Sequence, residues 1–191
     1  MKPVIKVALT AVAYFATFIL GAASGAIHPA CYAYVGALLP LLFAFPYLYA
    51  CSLIRGFGAA AVLNGFILVL FLVSGEADTG YVVITLMLTA LSEILRRAFG
   101  YDTDKGIRVS FIPFAFSFFA YTSHWWTDTD GSLAAAVAEM PQGYDQQMLP
   151  IIENIPALII VLVLTVPVAI LSMRGAQRFC RRSSHTRVKN Y

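Results

Sequence analysis

The sequence is poor in charge and lacks the motifs by which chains announce an enzyme. It contains no G-x-x-x-x-G-K-[ST] phosphate loop, so it does not itself hydrolyse a nucleotide in the usual way. No G-x-S-x-G, no H-E-x-x-H and no paired carboxylates inside an apolar run occur either. Three cysteines, at 31, 51 and 180, form no C-x-x-C metal spacing. Cys31 and Cys51 are placed on one expected helix, ~30 Å apart and far beyond the ~7 Å Cα limit for a disulfide. The histidines, His28, His124 and His185, are far apart in sequence.

Acidic and basic residues together make only 12% of the 191 residues, against 60% hydrophobic content and a mean hydropathy of +0.77. That balance excludes an ordinary soluble core and makes this a membrane chain. Apolar stretches recur at about 4–27, 30–54, 58–75, 79–99, 108–126 and 150–173. Each is near the ~20 residues that a helix needs to cross ~30 Å of hydrocarbon, and none alternates as a barrel strand does. The fold class expected is an all-α membrane protein of six transmembrane helices, one domain over 1–191.

Basic residues then set orientation, because short loops rich in Lys and Arg stay cytoplasmic. With both termini inside, Lys2, Lys6, Arg55, Arg96, Arg97, Lys105, Arg108 and the tail over 174–191 place all thirteen basic residues on one side. Glu76, Asp78, Asp128, Asp130, Glu139, Asp145 and Glu153, seven of ten acids, fall on the other. The basic tail suits anionic lipid or a protein partner, and no aromatic-interleaved basic groove points to nucleic acid. Although Lys2 and Lys6 precede an apolar run ending in "GAASGA", the first helix is read as uncleaved.

Within the spans, Glu93 precedes Arg96 and Arg97 by three and four residues, the spacing of an ion pair on one helix face. Small residues (Ala22, Gly25, Ala26, Ala30, Ala33, Gly36, Ala37) favour close helix packing within the chain. Prolines 40, 46, 113, 156 and 167 bend helices. The outer loop at 127–149 contains an alanine-rich stretch, Leu133 to Ala138, that reads as a short helix; it is a lid over the mouth or a plain connector.

Polar and aromatic residues collect at the outer helix ends, including His28, Tyr32, Tyr34, Trp126, Gln142 and Gln147. Such rings anchor a chain at the headgroup level, and they equally suit capture of a planar, partly apolar small molecule. Two outer histidines permit haem or a corrinoid; belt residues explain the same letters. The lack of a basic residue outside argues against a polyanionic ligand.

The order and spacing of "HPACYAYVGALLPLLFAFPYLYACSLIRGFGA", "GYVVITLMLTALSEILRRAFGYDTDKGIRVSFIPFAFSFF" and the "GYDQQM" outer loop resemble the Trep_Strep family of bacterial integral membrane proteins over about residues 20–183. That family looks like the substrate-binding S components of energy-coupling factor (ECF) transporters. The resemblance implies an S-component-like bundle that captures a vitamin-like micronutrient from outside, itself without catalysis or cofactor. Its partners would be a membrane coupling subunit and two cytoplasmic ATPases. The implied substrate-binding residues are Tyr32, Tyr81, Tyr121, His124, Trp125, Tyr144, Gln146 and Asn154. The implied small-residue face for the coupling subunit is, on the inner half of the first helix, Ala8, Ala13 and Ala16, with Ala22 and Ala26 at its outer end. The alternatives are a membrane enzyme using His124 with Asp128 or Glu153, and a structural membrane protein.

Overall fold

The computed structural model describes residues 2–188, with side chains described through Arg182. The expectations for Lys189, and for the side chains of His185 and Arg187, lie outside them. Every regular element among the described residues is helical: α1 (Pro3–Ala23), α2 (Pro29–Tyr34), α3 (Pro40–Leu53), α4 (Ala59–Ser74), α5 (Thr79–Phe99) and α6 (Asp104–Phe114). There follow α7 (Ser117–Thr122), α8 (His124–Thr127), α9 (Thr129–Glu139), α10 (Tyr144–Glu153) and α11 (Ile155–Val188). Proline opens α1, α2 and α3 at a position whose N–H has no intrahelical partner.

Two segments, Pro3–Ala26 and Ile155–Arg182, are long and apolar enough to cross a membrane. A third is added if α2 and α3, bent by 45° at their junction, count as one span. The six expected runs are therefore more broken than their hydropathy implies. The run at 108–126 is divided among α6, α7 and α8, where Pro113 enters the last turn of α6. The run at 58–75 gives a helix of 16 residues. The last helix continues through residues 174–188, so this part of the expected tail is helical.

Only 11% of the most apolar window of the last span is buried, and 28% of the first. Leu20, Val73, Met87, Val163 and Leu171 are among the large apolar side chains left facing outward. In water that surface would be strongly unfavourable; against lipid it is the expected exterior. Inside, Tyr14, Phe18, Phe43, Tyr47, Phe111, Phe114 and Phe118 form a buried aromatic column. Two polar chains cross it. The Tyr14 hydroxyl donates to Asn64 Oδ1 at 3.0 Å and Asn64 Nδ2 to Thr89 Oγ1 at 2.9 Å, joining α1, α4 and α5. Tyr47 donates to Ser110 Oγ at 2.8 Å beside Ser92, joining α3, α5 and α6.

These contacts fix the direction of each helix. Gly21 lies against Leu39 and Phe18 against Phe43, so α1 and α3 are antiparallel. Asn64 with Thr89, and Phe71 with Tyr81, make α4 and α5 an antiparallel hairpin. Gln177 reaches Asp104, and Arg181 pairs with the same aspartate, so the start of α6 meets the far end of α11. One end of the bundle thereby collects the eleven Lys and Arg residues whose side chains are described, and the other collects Glu76, Asp78, Asp128, Asp130, Glu139, Asp145 and Glu153.

At the basic end the expected ion pair is absent. Glu93 and Arg96 are fully buried, and each serves a different helix terminus. Glu93 Oε1 accepts from Ala60 N at 2.7 Å and Ala61 N at 3.5 Å, the free N–H groups at the start of α4. Arg96 donates to the carbonyls of Cys51, Ile54 and Gly56, at the end of α3 and just beyond it, and to Tyr101. A carboxylate on a helix N-terminus and a guanidinium on a C-terminus are each favoured by the helix dipole. In an apolar surrounding, that gain exceeds what an exposed pair between the two side chains would supply. The small residues of the first spans serve packing: a Cβ on Gly21 would lie 2.6 Å from Leu39, and on Gly36 2.8 Å from Phe119.

Replacing Arg96 with Ala strips four carbonyls, that of Cys51 buried, of their donor and should cost roughly 3 kcal/mol. Thermal unfolding in detergent, followed by far-UV circular dichroism, should show a clearly lower midpoint, with Arg96→Lys recovering only part. An unchanged midpoint in Arg96→Ala would refute the capping role.

Candidate functional site

The acidic end is assembled from short, individually capped helices. His28 is the N-cap of α2, its Nδ1 accepting from Ala30 N at 3.0 Å. Asp78 caps α5 through Tyr81 N at 2.8 Å, and Asp128 caps α9 through Gly131 N at 3.3 Å. Gly143, at φ +84°, supplies the left-handed residue that turns the chain from α9 into α10. The last carbonyls of α10 are taken up by aromatic neighbours: the Tyr34 hydroxyl donates to Ile151 O at 3.1 Å and Trp126 Nε1 to Ile152 O at 3.2 Å.

Two adjoining cavities lie among these helices. The first, of about 500 Å³, is bounded by His28, Tyr32, Tyr121, Gln142, Tyr144 and Gln147, with Ala22 at the end of α1 and Ala26 just beyond it. The second, of about 380 Å³, is bounded by Glu76, Asp78, His124, Trp125, Asp128 and Glu139. Tyr32, Tyr121 and Met140 belong to both walls. Either volume is of the size that holds a small organic molecule.

The shared wall is aromatic. Tyr32 stands at 87° to both Tyr121 and Trp125, with ring centroids 6.3 Å and 6.4 Å away. His124 stacks beside Trp125 at 5.0 Å, and Tyr144 lies 6.5 Å from Trp125. Burial pushes the Tyr144 phenol above its ordinary pKa, so it is a neutral hydroxyl at physiological pH. Trp125 is 3% exposed, and its indole N–H has no acceptor among the described residues. His124 Nδ1 bonds Ser132 Oγ at 2.7 Å, while that same hydroxyl reaches His124 O at 3.0 Å. One hydroxyl hydrogen serves one acceptor, so both bonds are satisfied when Nδ1–H donates to Ser132 and Ser132 donates to the carbonyl. This places a hydrogen on Nδ1 and leaves Nε2 as the free lone pair of the neutral ring.

Of the expected binding residues, Tyr32, Tyr121, His124, Trp125 and Tyr144 are brought together around the two cavities. Tyr81 lines neither cavity; it is 2% exposed and packs beneath Tyr121 and against Phe71. Gln146 is exposed, and Gln147 lines the first cavity in its place. On a helix with Tyr144 and Met148 turned inward, Gln147 shares their face by its i, i+3 spacing, a signal the sequence contained. Asn154 is also exposed, and its Oδ1 accepts from Ala157 N at the start of α11. "N-I-P", a capping residue ahead of a first-turn proline, was readable as that cap. His124 bonds Ser132 rather than Asp128 or Glu153. His28 and His124 line different cavities, so this arrangement does not set two histidines on one ring ligand. No cluster of metal-ligating side chains occurs among the described residues. Ala8, Ala13 and Ala16 are exposed on α1, away from the face carrying Ala11, Tyr14 and Phe18 inward.

An all-helical chain with an apolar exterior, ends sorted by charge and aromatic cavities at the acidic end is an integral membrane protein. The family model described as "Hypothetical bacterial integral membrane protein (Trep_Strep)" matches residues 1–183, and the chain belongs to that family. No curated protein and no solved structure matches it.

The two tryptophans should respond oppositely to their burial. Trp126→Phe deletes a satisfied N–H and leaves Ile152 O without its donor, costing about 1 kcal/mol. Trp125→Phe removes an N–H that has no acceptor among the described residues, so its cost should be the smaller although the ring is the more buried. Thermal midpoints of the two variants in the same detergent check this; the reverse order would show that the Trp125 N–H is satisfied.

Proposed function

We propose that this chain is the substrate-binding subunit of an ECF-type importer in a bacterial plasma membrane, taking up a vitamin-like micronutrient from outside. The observation that carries the reading is the pair of aromatic-walled cavities at the acidic end of a bundle that has no nucleotide-binding motif. A chain of this kind binds, and leaves ATP hydrolysis to two cytoplasmic ATPases joined through a membrane coupling subunit. The exposed Ala8, Ala13 and Ala16 of α1 are the surface assigned to that subunit, since small side chains let helices approach closely.

The topology proposed is six passes with both termini cytoplasmic: α1, α2 with α3, α4, α5, α6 through α8, and α11. Support comes from the antiparallel packing of neighbours and from the collection of Lys and Arg at one end. With α9 and α10 between the fifth and sixth passes, residues 127–149 cover the cavities from outside. Ala136 and Met140 of this segment lie on the wall beside Trp125, which favours a lid over a plain connector.

Two measurements test the proposal. Native mass spectrometry of the detergent-purified chain, after exposure to bacterial extract, should show one retained small molecule, and Tyr121→Ala should weaken its retention at least ~10-fold by opening the shared wall. A folded protein that retains nothing, or that turns a compound over, sinks it. In whole cells a cysteine at Asp145, in a background without the native cysteines, should react with a membrane-impermeant maleimide, and one at Lys105 should not. Labelling at both or at neither contradicts the six-pass orientation.

A further inference from the structure

The basic end of the bundle has a cavity of its own. It measures about 240 Å³, lies between the start of α6 and the far end of α11, and is bounded by Asp104, Arg108, Arg174, Gln177, Arg178 and Arg181. Arg174, Arg178 and Arg181 follow at i, i+4 and i+7, so they share one face of α11, and Arg108 reaches the cavity from α6. Four guanidiniums against one carboxylate leave a net charge of +3. Asp104 is paired with Arg181, and Arg108, Arg174 and Arg178 have no ion pair among the described residues. Like charges one turn apart on a helix repel, and an anion between them offsets that cost.

A row of arginines alone would be only the solvated end of a membrane helix. Two further features make it a site. Gln177 is 7% exposed, and its Nε2 donates to Asp104 O at 3.1 Å, so the two helices that carry the arginines are fixed to each other beside the cavity. The cavity also continues into a groove of about 300 Å³ between α3 and α11, walled by Phe45, Leu48, Tyr49 and Ser52. Asp104, Gln177 and Arg181 belong to both. From Ser52, at the last turn of α3, back to Phe45 the groove extends ~10 Å from the basic end toward the middle of the bundle. Phe45 and Tyr49 are each 47% exposed, on the apolar exterior, and Phe45 meets Phe179 of α11 edge-on with ring centroids 6.2 Å apart.

We propose that the cavity and the groove form one site for an anionic phospholipid, its phosphate among Arg108, Arg174 and Arg178 and an acyl chain laid along Phe45, Leu48 and Tyr49. The planar guanidinium fork matches two phosphate oxygens. Charge selects the anionic head, because a zwitterionic lipid would bring its own ammonium against three unpaired arginines. The groove selects a lipid over a soluble phosphate, which would engage the charged half alone. Depth agrees: the arginines begin at Arg174, where the apolar run of α11 ends, the level at which headgroups lie. The site is at the opposite end from the aromatic cavities and does not depend on what they bind.

The test is native mass spectrometry of the full-length chain in detergent, titrated with phosphatidylglycerol and with phosphatidylethanolamine of identical acyl chains. The anionic lipid should be retained at least ~10-fold more tightly. The triple variant Arg108→Gln, Arg174→Gln, Arg178→Gln should reduce its retention to that of the zwitterionic lipid. Should the triple variant not fold, Arg174→Gln with Arg178→Gln, both at exposed positions, should show part of the same loss. Lys2→Gln with Lys6→Gln removes two charges at the same end but outside the site, and should change nothing. Leu48→Trp, which fills the groove, should weaken phosphatidylglycerol several-fold, and excess inorganic phosphate should not displace it. Equal retention of the two lipids, retention indifferent to the arginine variants, or an equal loss from the lysine variant overturns the proposal. Displacement by inorganic phosphate, or indifference to Leu48→Trp, overturns it in favour of a free-anion site. A co-purifying polypeptide released by the triple variant, with lipid retention unchanged, overturns it in favour of a protein interface.

Discussion

The structure hangs on how two buried ionisable side chains are held, Glu93 through one carboxylate oxygen and Arg96 through its guanidinium nitrogens. Glu93 and Arg96 lie one turn apart on α5 with almost no access to solvent, in a chain whose exterior is apolar. An uncompensated charge there would cost several kcal/mol. Each instead takes the loose end of a neighbouring helix: Glu93 receives the first N–H groups of α4, and Arg96 gathers carbonyls from the end of α3 and the turn after it. The break between α3 and α4, with its own unsatisfied groups, is thereby clamped to α5. Neither the charges nor the helix ends are tolerable alone; together they fix where α4 starts. From that start α4 runs the length of the bundle and turns at Gly75, and the turn delivers Glu76 and Asp78 to the wall of the second cavity.

The same economy recurs at the other end. Tyr34 and Trp126 serve the carbonyls that end α10, and His28, Asp78 and Asp128 serve the N–H groups that begin α2, α5 and α9. An aromatic residue with a polar tip suits this work because its body packs in an apolar setting while its tip reaches a backbone group. Trp125 is the exception, buried beside Trp126 yet without a partner for its N–H. The adjacent residues thus differ in the state of the indole N–H, bonded in Trp126 and unbonded in Trp125.

Much of the architecture was legible in the amino-acid order because it follows from hydropathy and charge. The helical class, the apolar exterior and the gathering of Lys and Arg at one end all follow from patterns that tolerate small errors of register. The short helix expected near Leu133 to Ala138 is found as α9. What was illegible depended on partners distant in sequence. Spacing on one helix suggested that Glu93 would pair with Arg96, and nothing local revealed that two broken helices offered each a better partner. The run at 108–126 reads as continuous because hydropathy does not register a backbone break at Pro113. Among the candidate site residues, the rings near Trp125 gather at the two cavities because few places in a membrane chain accept so many polar-tipped aromatics. Gln146 and Asn154 border neither cavity, Gln146 for its helix face and Asn154 for its cap, both readable in the sequence.

Asp78 and Asp128 tie the cavity's charge to its fold. Each carboxylate caps a helix whose N-terminus points toward the second cavity, so the side chain that starts α5 or α9 also supplies negative potential at the wall. A neutral cap such as Ser or Asn would keep the helix at little cost but remove the charge; a Lys would lose both. Glu76 and Glu139 carry no such structural duty, and their carboxylates add to the same field. A wall built this way keeps a net negative charge through most substitutions that preserve folding. Its aromatic members are likewise held from behind, Tyr121 by Tyr81 and Phe71, and Trp125 by His124. Tyr81, which lines neither cavity, thus contributes by holding in place the ring that lines both.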